Sequence, residues 1–361
     1  MRGAYVSPGP LAQFSAVWCT SIASPMVSTV HPRALVSLAI VLGACAAREP
    51  PRPLDDAGPA TSRDAAVTAP TIVSAAPPAS SGPAMPAPPP ASASASASAS
   101  PPAAPPGMLL VPEGTTVVGQ DEQGELDERP AHKVTLPAFW LDETEVTNEA
   151  YQRCVEARVC QPPDPKSARA NKLGDDKQFR RPRQPVSSIS HDDARAYCQH
   201  VGKRLPTEAE WERAARGDDG RTYPWGEAFP TKAHAVFGEG TTADVGSRPA
   251  GKGPFGHLDL AGNVWEWVED HYDPYAYRRA GAAEGKPGTC EEIMATLAEL
   301  KRGKMQGFTG SNPIPDECER VLRGGAFNYH AKGLRASNRV HHPGRFHLVM
   351  SGFRCAMNVA R

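Results

Sequence analysis

Residues 258–267 read Leu-Asp-Leu-Ala-Gly-Asn-Val-Trp-Glu-Trp. The two tryptophans, Trp265 and Trp267, could face a groove, but rings of that size are more at home in a core. Upstream lies Arg204-Leu205-Pro206-Thr207-Glu208-Ala209-Glu210-Trp211-Glu212, where the spacing of Thr207 and Glu210 is that of a capping box and predicts a helix starting at Thr207. Glu208, Glu210 and Glu212 stand at i, i+2 and i+4, a spacing that does not form a paired acid/base site. Arg204, Arg213 and Arg216 offer them ion pairs, so the segment reads as structural. Downstream, an Arg323-Gly324-Gly325 turn and a closing Gly352-Phe353-Arg354-Cys355-Ala356 complete the pattern. Arg323, Arg339 and Arg354 read as clamps on the last segments rather than as an anion site.

Working outward from these stretches, Gly107 onward reads as strand-turn-strand. Strands are expected at Met108–Val111, Thr115–Gly119, His132–Leu136 and Phe139–Leu141, with a Pro112-Glu113-Gly114 turn between the first two. A helix is expected over Glu149–Ala157, capped by Thr147 or Asn148, and a second over Asp192–Val201, starting near Ser190 or His191 and ending at Gly202. Beyond Arg216 the chain is turn-rich, without internal repeats. Residues 276–320 form a long excursion with one helical stretch, Glu291–Lys301, and a loop of that length in a compact domain is usually functional or flexible.

The N-terminal third has a different composition. Arg33 is followed by an apolar run, Ala34–Ala44, of signal-peptide length and too short to span a bilayer. It ends in Leu42-Gly43-Ala44-Cys45, which resembles a bacterial lipobox, so Cys45 is the expected lipidation site and residues 1–45 a signal region. Starting at Met26 would give a conventional short signal. Lipid on Cys45 would anchor the chain to a membrane without a spanning helix, facing the periplasm or the cell surface. Residues 46–106 are rich in Pro, Ala and Ser, a composition that buries too little apolar surface to order itself and reads as a disordered tether. Residues 107–361 are then the globular domain. The formal net charge of −1 and the absence of a long Lys/Arg run exclude a nucleic-acid binder.

Together, the 204–212, 258–267, 323–325 and 352–356 motifs resemble the formylglycine-generating enzyme family, the sulfatase-modifying factors, across about 250 residues of this chain. The resemblance implies an irregular α+β fold, C-type lectin-like, with little regular secondary structure. In that family two thiolates that follow the R-G-G turn hold copper(I), a soft ion matched to soft ligands. Here the turn continues Ala326-Phe327-Asn328-Tyr329-His330, Tyr329 stands at the first thiolate position, and no cysteine lies between Cys318 and Cys355. Copper and formylglycine generation are therefore not expected. The family also includes proteins of ergothioneine biosynthesis and pyoverdine maturation, so an oxidative maturation enzyme acting on a peptide or peptide-derived metabolite, with non-haem iron, is the alternative. His330, His341, His342 and His347 are the local histidines for it, although adjacent His341 and His342 point in different directions.

Of eight cysteines, six lie in the domain of a chain that reads as exported, which favours disulfides. Local spacing favours Cys154 with Cys160 and the excursion favours Cys290 with Cys318. That leaves Cys198 and Cys355, a pair the family resemblance suggests independently. A second bridge of some members has Ala215 and Ala336 at its positions here. The resemblance also implies a calcium site from the carboxylates of Asp259 and Glu266 and the carbonyls of Gly262 and Val264, hard donors suited to that ion. The family's other calcium site, near His234 and Ala235, lacks its usual Asn. The leading expectation is a lipid-anchored, calcium-stabilised module that binds a peptide, protein or glycan of the cell envelope. Its groove would lie between the 324–339 segment and the 276–320 excursion, with Trp265, Asn328, Tyr329, His330 and Arg339 on it.

Overall fold

The computed structural model describes residues 103–360 apart from 123, 280, 287 and 303–314. Cys19, the expected signal region with Cys45, and nearly all of the Pro/Ala/Ser segment lie outside the described residues. Strand β1 (Met108–Val111) pairs antiparallel with β4 (Phe139–Asp142), and β4 pairs antiparallel with β9 (Ala356–Asn358), so one small sheet joins the start of the domain to its end. Strands β2 (Gly114–Val118) and β3 (His132–Leu136) form an antiparallel pair. The third sheet has the order β7-β6-β5-β8, from β5 (Trp265–His271), β6 (Glu319–Arg323), β7 (Arg339–Pro343) and β8 (Ser351–Gly352), with β5 and β8 parallel.

The helices begin where local capping chemistry puts them. Helix α1 (Asn148–Glu156) starts with the Thr147 side chain accepting the Ala150 N–H. Reciprocal capping boxes open α3 (His191–His200) at Ser190 and Asp193 and α4 (Glu208–Arg216) at Thr207 and Glu210. These contacts satisfy N–H groups that the first turn leaves without intrahelical partners. A short α2 (Ser167–Ala170) lies between α1 and α3, and α5 (Cys290–Lys301) is the helix of the excursion. The first four expected strands and all four expected helices are present, shifted by a residue or two at their ends. Strand β5 was not foreseen. It runs through the Trp265–Trp267 stretch and is buried over its first four residues.

The largest apolar cluster lies between α1, α3 and the third sheet and includes Tyr151, Phe179, Tyr197, Trp265, Trp267, Phe327 and Phe353. Both tryptophans are therefore core residues, as their size suggested. A second cluster around Trp211 holds Ala214, Ala215 and Ala336, so the two alanines that replace a bridge of the wider family share one apolar environment. Three disulfides join Cys154 to Cys160, Cys198 to Cys355 and Cys290 to Cys318, the expected pairing. The second spans 157 residues and ties α3 to the end of the chain, a long closed loop of the kind that most restricts an unfolded chain.

Candidate functional site

The turn after β6 is shaped by Gly325, at φ +84°, where a side-chain carbon would stand 2.8 Å from the Gly333 carbonyl oxygen. Only glycine fits there. The turn then folds back on itself through the Tyr329 N–H to the Ala326 carbonyl at 2.9 Å. Neighbouring backbone pins it on two sides. Phe327 N–H donates to the Asn263 carbonyl at 2.8 Å, Gly238 N–H to the Tyr329 carbonyl at 2.8 Å, and Glu239 N–H to the Phe327 carbonyl at 2.7 Å.

This framework places the Tyr329 ring edge-on to Trp265, with centroids 5.2 Å apart at 88°. Asn328 and Tyr329 are half-buried and His330 is exposed. Three buried polar atoms here have no hydrogen-bond partner: Trp265 Nε1, Asn263 Nδ2 and Asn328 Oδ1. Asn263 uses only its other amide atom, Oδ1, which accepts from Ala243 N–H at 3.0 Å. Buried polar groups are almost always paired, so two donors and an acceptor without partners at one turn are exceptions to that rule. All six cysteines among the described residues are in disulfides, so the turn has no thiolate beside it.

The histidines do not converge on the turn. His341 Nδ1 bonds Glu319 Oε2 at 2.5 Å and its ring stacks on Tyr272 at 3.9 Å. His342 stacks on Phe346, and His347 Nε2 approaches Asp193 at 3.4 Å. Among the described residues no three His, Cys, Asp or Glu side chains are grouped to hold a metal.

Arg339 does not line the groove either. It is 2% exposed and pairs with Glu208 at 2.7 Å from its Nε, while its Nη1 donates to the Asp127 and Asp273 carbonyls. The strand β7 alternation turns it inward, under the Tyr277 ring at 4.7 Å. Arg323 joins the same buried network, bonding Glu208 at 2.7 Å and Glu212 at 2.6 Å. Burial opposes the charge on Glu208, yet Arg339 and Arg323 hold its carboxyl below the ordinary value. Glu210 pairs with Arg204 and Glu212 with Arg216, as the sequence suggested, whereas Arg213 takes Asp218 instead. The excursion follows this network. Tyr277, Ala282, Gly285, Lys286 and Gly288 line one small cavity with Val118 of β2, His132 and Val134 of β3 and Glu208 and Ala209 of α4, and Tyr277 lies over Arg339. Among the described residues, Gly238 and Glu239 border the Tyr329 turn.

At the expected calcium position the structure gathers three carboxylates around one guanidinium. Arg354 forks onto Glu266 through two bonds of 2.7 Å, and Trp211 Nε1 donates to the same carboxylate at 2.9 Å. Asp259 Oδ2 accepts from Gly246 N–H at 2.5 Å. Glu145, absent from the sequence reading, is 2% exposed and has the neighbouring Asp259 carboxyl as its side-chain contact. Burial, then the charges of Asp259 and Glu266, push the Glu145 carboxyl well above the ordinary range, and burial raises Asp259 likewise. Glu145 and Asp259 are neighbouring buried carboxylates, hard oxygen donors of the kind calcium takes, although with Glu266 they do not form a group of three able to hold a metal among the described residues. In this arrangement Asp259 and Glu145 have oxygens to give, while the Glu266 carboxylate is already held by Arg354. Gly262, at φ +85°, where a side-chain carbon would stand 2.4 Å from the Val236 carbonyl oxygen, makes the turn that leads into β5.

Comparison with known proteins places this geometry in context. The sequence model of the sulfatase-modifying factor enzyme 1-like domain matches residues 93–359. A serine/threonine-protein kinase pkn1 of Chlamydia pneumoniae is 35% identical over 264 residues, covering 70% of this chain and 38% of that protein. A hercynine oxygenase of Mycolicibacterium thermoresistibile is 33% identical over 274 residues, covering 67% of this chain and 56% of its own length. A formylglycine-generating enzyme of Streptomyces coelicolor is 34% identical over 245 residues, 51% of this chain and 75% of that one. Among solved structures, PvdO from Pseudomonas aeruginosa superposes with a TM-score of 0.54 at 23% identity over 70% of this chain and 94% of its own.

Proposed function

The chain belongs to the sulfatase-modifying factor family, and from that premise we propose that its domain is a binding module for a peptide, protein or glycan in the cell envelope, without thiolate-copper oxidation. The observation that carries this reading is the pairing of every described cysteine in a disulfide, with Tyr329 at the turn and unpartnered polar atoms around it. A copper(I) oxidation site needs soft thiolate ligands, and this turn offers a phenol and amides in their place. Those groups can hold a ligand by hydrogen bonds and ring contact. In this reading lipid at Cys45 anchors the module to a membrane, and calcium at Asp259, aided by Glu145 and by the Gly262 and Val264 carbonyls, stiffens the turn into β5.

A second reading, an oxidative maturation enzyme, is favoured by one observation: relatives that cover much of this chain include a hercynine oxygenase and a formylglycine-generating enzyme. It requires iron on His330, His341, His342 or His347 as this chain's nearest histidines. The two readings part in one experiment. A random peptide library displayed on the full chain should enrich binders that Tyr329→Ala and Asn328→Ala release, with the thermal midpoint unchanged. Enrichment indifferent to both substitutions, or a peptide returned with its thiol oxidised, would count against the binding reading.

A further inference from the structure

Resting on the binding reading of the Tyr329 turn, we infer that its ligand is an acidic polypeptide segment, held at the turn through its backbone and steered by a basic surface over residues 166–183. That stretch carries seven cations, Lys166, Arg169, Lys172, Lys177, Arg180, Arg181 and Arg183, in a chain whose net charge is −1. Between Asp164 and Arg183 only three carboxylates, Asp164, Asp175 and Asp176, oppose them. Arg180 pairs with Asp176, and Arg181 and Arg183 lie 3.6 and 4.0 Å from Asp244. Lys166, Arg169, Lys172 and Lys177 are exposed and enter no ion pair among the described residues. Isolated surface cations are ordinary, but Lys166, Arg169, Lys172 and Lys177 fall on one short segment, and neighbouring charges of one sign sum to a local positive field.

The fold sets this surface beside the turn. Phe179, fully buried, packs its ring on Phe327 at 5.3 Å, one residue before Asn328. The backbone carbonyl of Gln178 receives Thr241 Oγ1 at 3.1 Å and Gln184 Nε2 at 3.0 Å, and Gln184 Nε2 also donates to the Thr242 carbonyl at 2.8 Å. A single strap therefore runs from Gly238 and Glu239, on Tyr329 and Phe327, to Thr241 and Thr242, on the basic segment. On the other flank, Ser167 Oγ fixes α2 to the His347 carbonyl at 2.6 Å.

Chemistry at the turn selects the polymer. Trp265 Nε1 and Asn263 Nδ2 have no acceptor and Asn328 Oδ1 no donor, all three buried at the turn, so a peptide would reach them only as the half-buried Asn328 and Tyr329 side chains shift. A peptide backbone supplies carbonyl and N–H at fixed spacing, which a lipid surface does not, and carboxylate side chains along it would meet the unpaired cations. Charge complementarity of this kind sets specificity and association rate more than it sets total affinity.

The test uses the full chain and three dye-labelled peptides of one length, rich in Glu, in Gln or in Lys, followed by anisotropy at low and at physiological salt. The Glu peptide is expected to bind about tenfold tighter than the Gln peptide at low salt, with the gap closing as salt rises. The quadruple variant K166Q/R169Q/K172Q/K177Q, altered only on the surface, should erase that preference, whereas Tyr329→Ala should weaken Glu and Gln peptides alike. Equal binding of Glu and Gln peptides, both lost in Tyr329→Ala, overturns the acidic assignment and leaves the binding site standing. Glu-peptide binding that ignores Tyr329→Ala and is matched by vesicles of anionic phospholipid overturns it in favour of a membrane-facing surface. No binding of any peptide overturns both the inference and the reading of the turn.

Discussion

Asp270 sits at the end of β5 beside a cavity of about 30 Å³ that it shares with Glu208, Asp273 and Tyr277, and its Oδ2 accepts the Glu208 N–H that opens α4. Burial first, and then the charge of Glu208, push its carboxyl up to about 7. A folded value above the ordinary one means that the native state binds the proton more tightly than the unfolded chain does. The stability so gained is complete below the ordinary carboxylate value near 4 and is lost as pH rises through about 7. Asp270→Asn keeps an acceptor for Glu208 and removes the charge. Its stability relative to wild type should rise on going from pH 5 to pH 8, by on the order of 1–3 kcal/mol, read from denaturant midpoints. A constant difference across that range would mean that Asp270 ionises normally. His257 and His191 are pushed to about 3 and about 4, chiefly by burial, and oppose this trend at acid pH. The variant is therefore compared with wild type at each pH.

Calcium belongs to the same scale. Three carboxylates, Glu145, Asp259 and Glu266, surround Arg354, and Glu145 has the neighbouring Asp259 carboxyl as its side-chain contact. Added calcium should raise the thermal midpoint of the chelator-treated chain, and elemental mass spectrometry should find about one calcium per chain. Asp259→Asn keeps a side chain that accepts the local φ of +57° and should abolish the rise. An identical midpoint with chelator and with calcium would remove the ion from the account.

Among the elements, β6 and β7 are joined to α4 by charge as much as by apolar packing. Glu208 bridges Arg323 and Arg339, both of them buried, so neutralising it strands two guanidinium groups in a low dielectric. Glu208→Gln should lower stability by about 3–5 kcal/mol, with the denaturant slope unchanged. A loss within ~0.5 kcal/mol would show that Glu212 and the backbone carbonyls hold both arginines without it. The caps of α1, α3 and α4 were legible in sequence because their chemistry is confined to four residues. The ion network was not, since Glu128 meets Arg335 across 207 positions and no local spacing encodes that meeting. Glu145 was missed beside Asp259 for the same reason. The basic surface is hard to read because four of its cations are spread over residues 166–177 among apolar, polar and acidic residues, and only Arg180, Arg181 and Arg183 stand close together. Among the described residues the 236–239 strap borders the Tyr329 turn, a neighbour that no local spacing announces. Arg339 was drawn into the groove by its proximity in sequence, while strand alternation sends it to the core.

At the scale of the molecule, the β1-β4-β9 sheet, the Cys198–Cys355 bridge and the buried arginines close one scaffold around a turn that carries no thiol. The scaffold is the family's, and its membership was readable from four short motifs because they encode the capping box, the glycine turns and the tryptophan strand that build it. In the binding reading the turn acts through Tyr329, Asn328, Asn263 and Trp265, and the unpartnered atoms of the last three appear only once the chain is folded. The most direct test of a turn that binds without oxidising is mass spectrometry of cysteine-containing peptides incubated in air with the full chain, supplied in turn with copper(I) and with iron(II). The account predicts peptides retained by the chain and recovered with unchanged mass under both metals. Catalytic conversion of the thiol to an aldehyde or another oxidised product, lost in Tyr329→Ala or in a histidine variant, would contradict it.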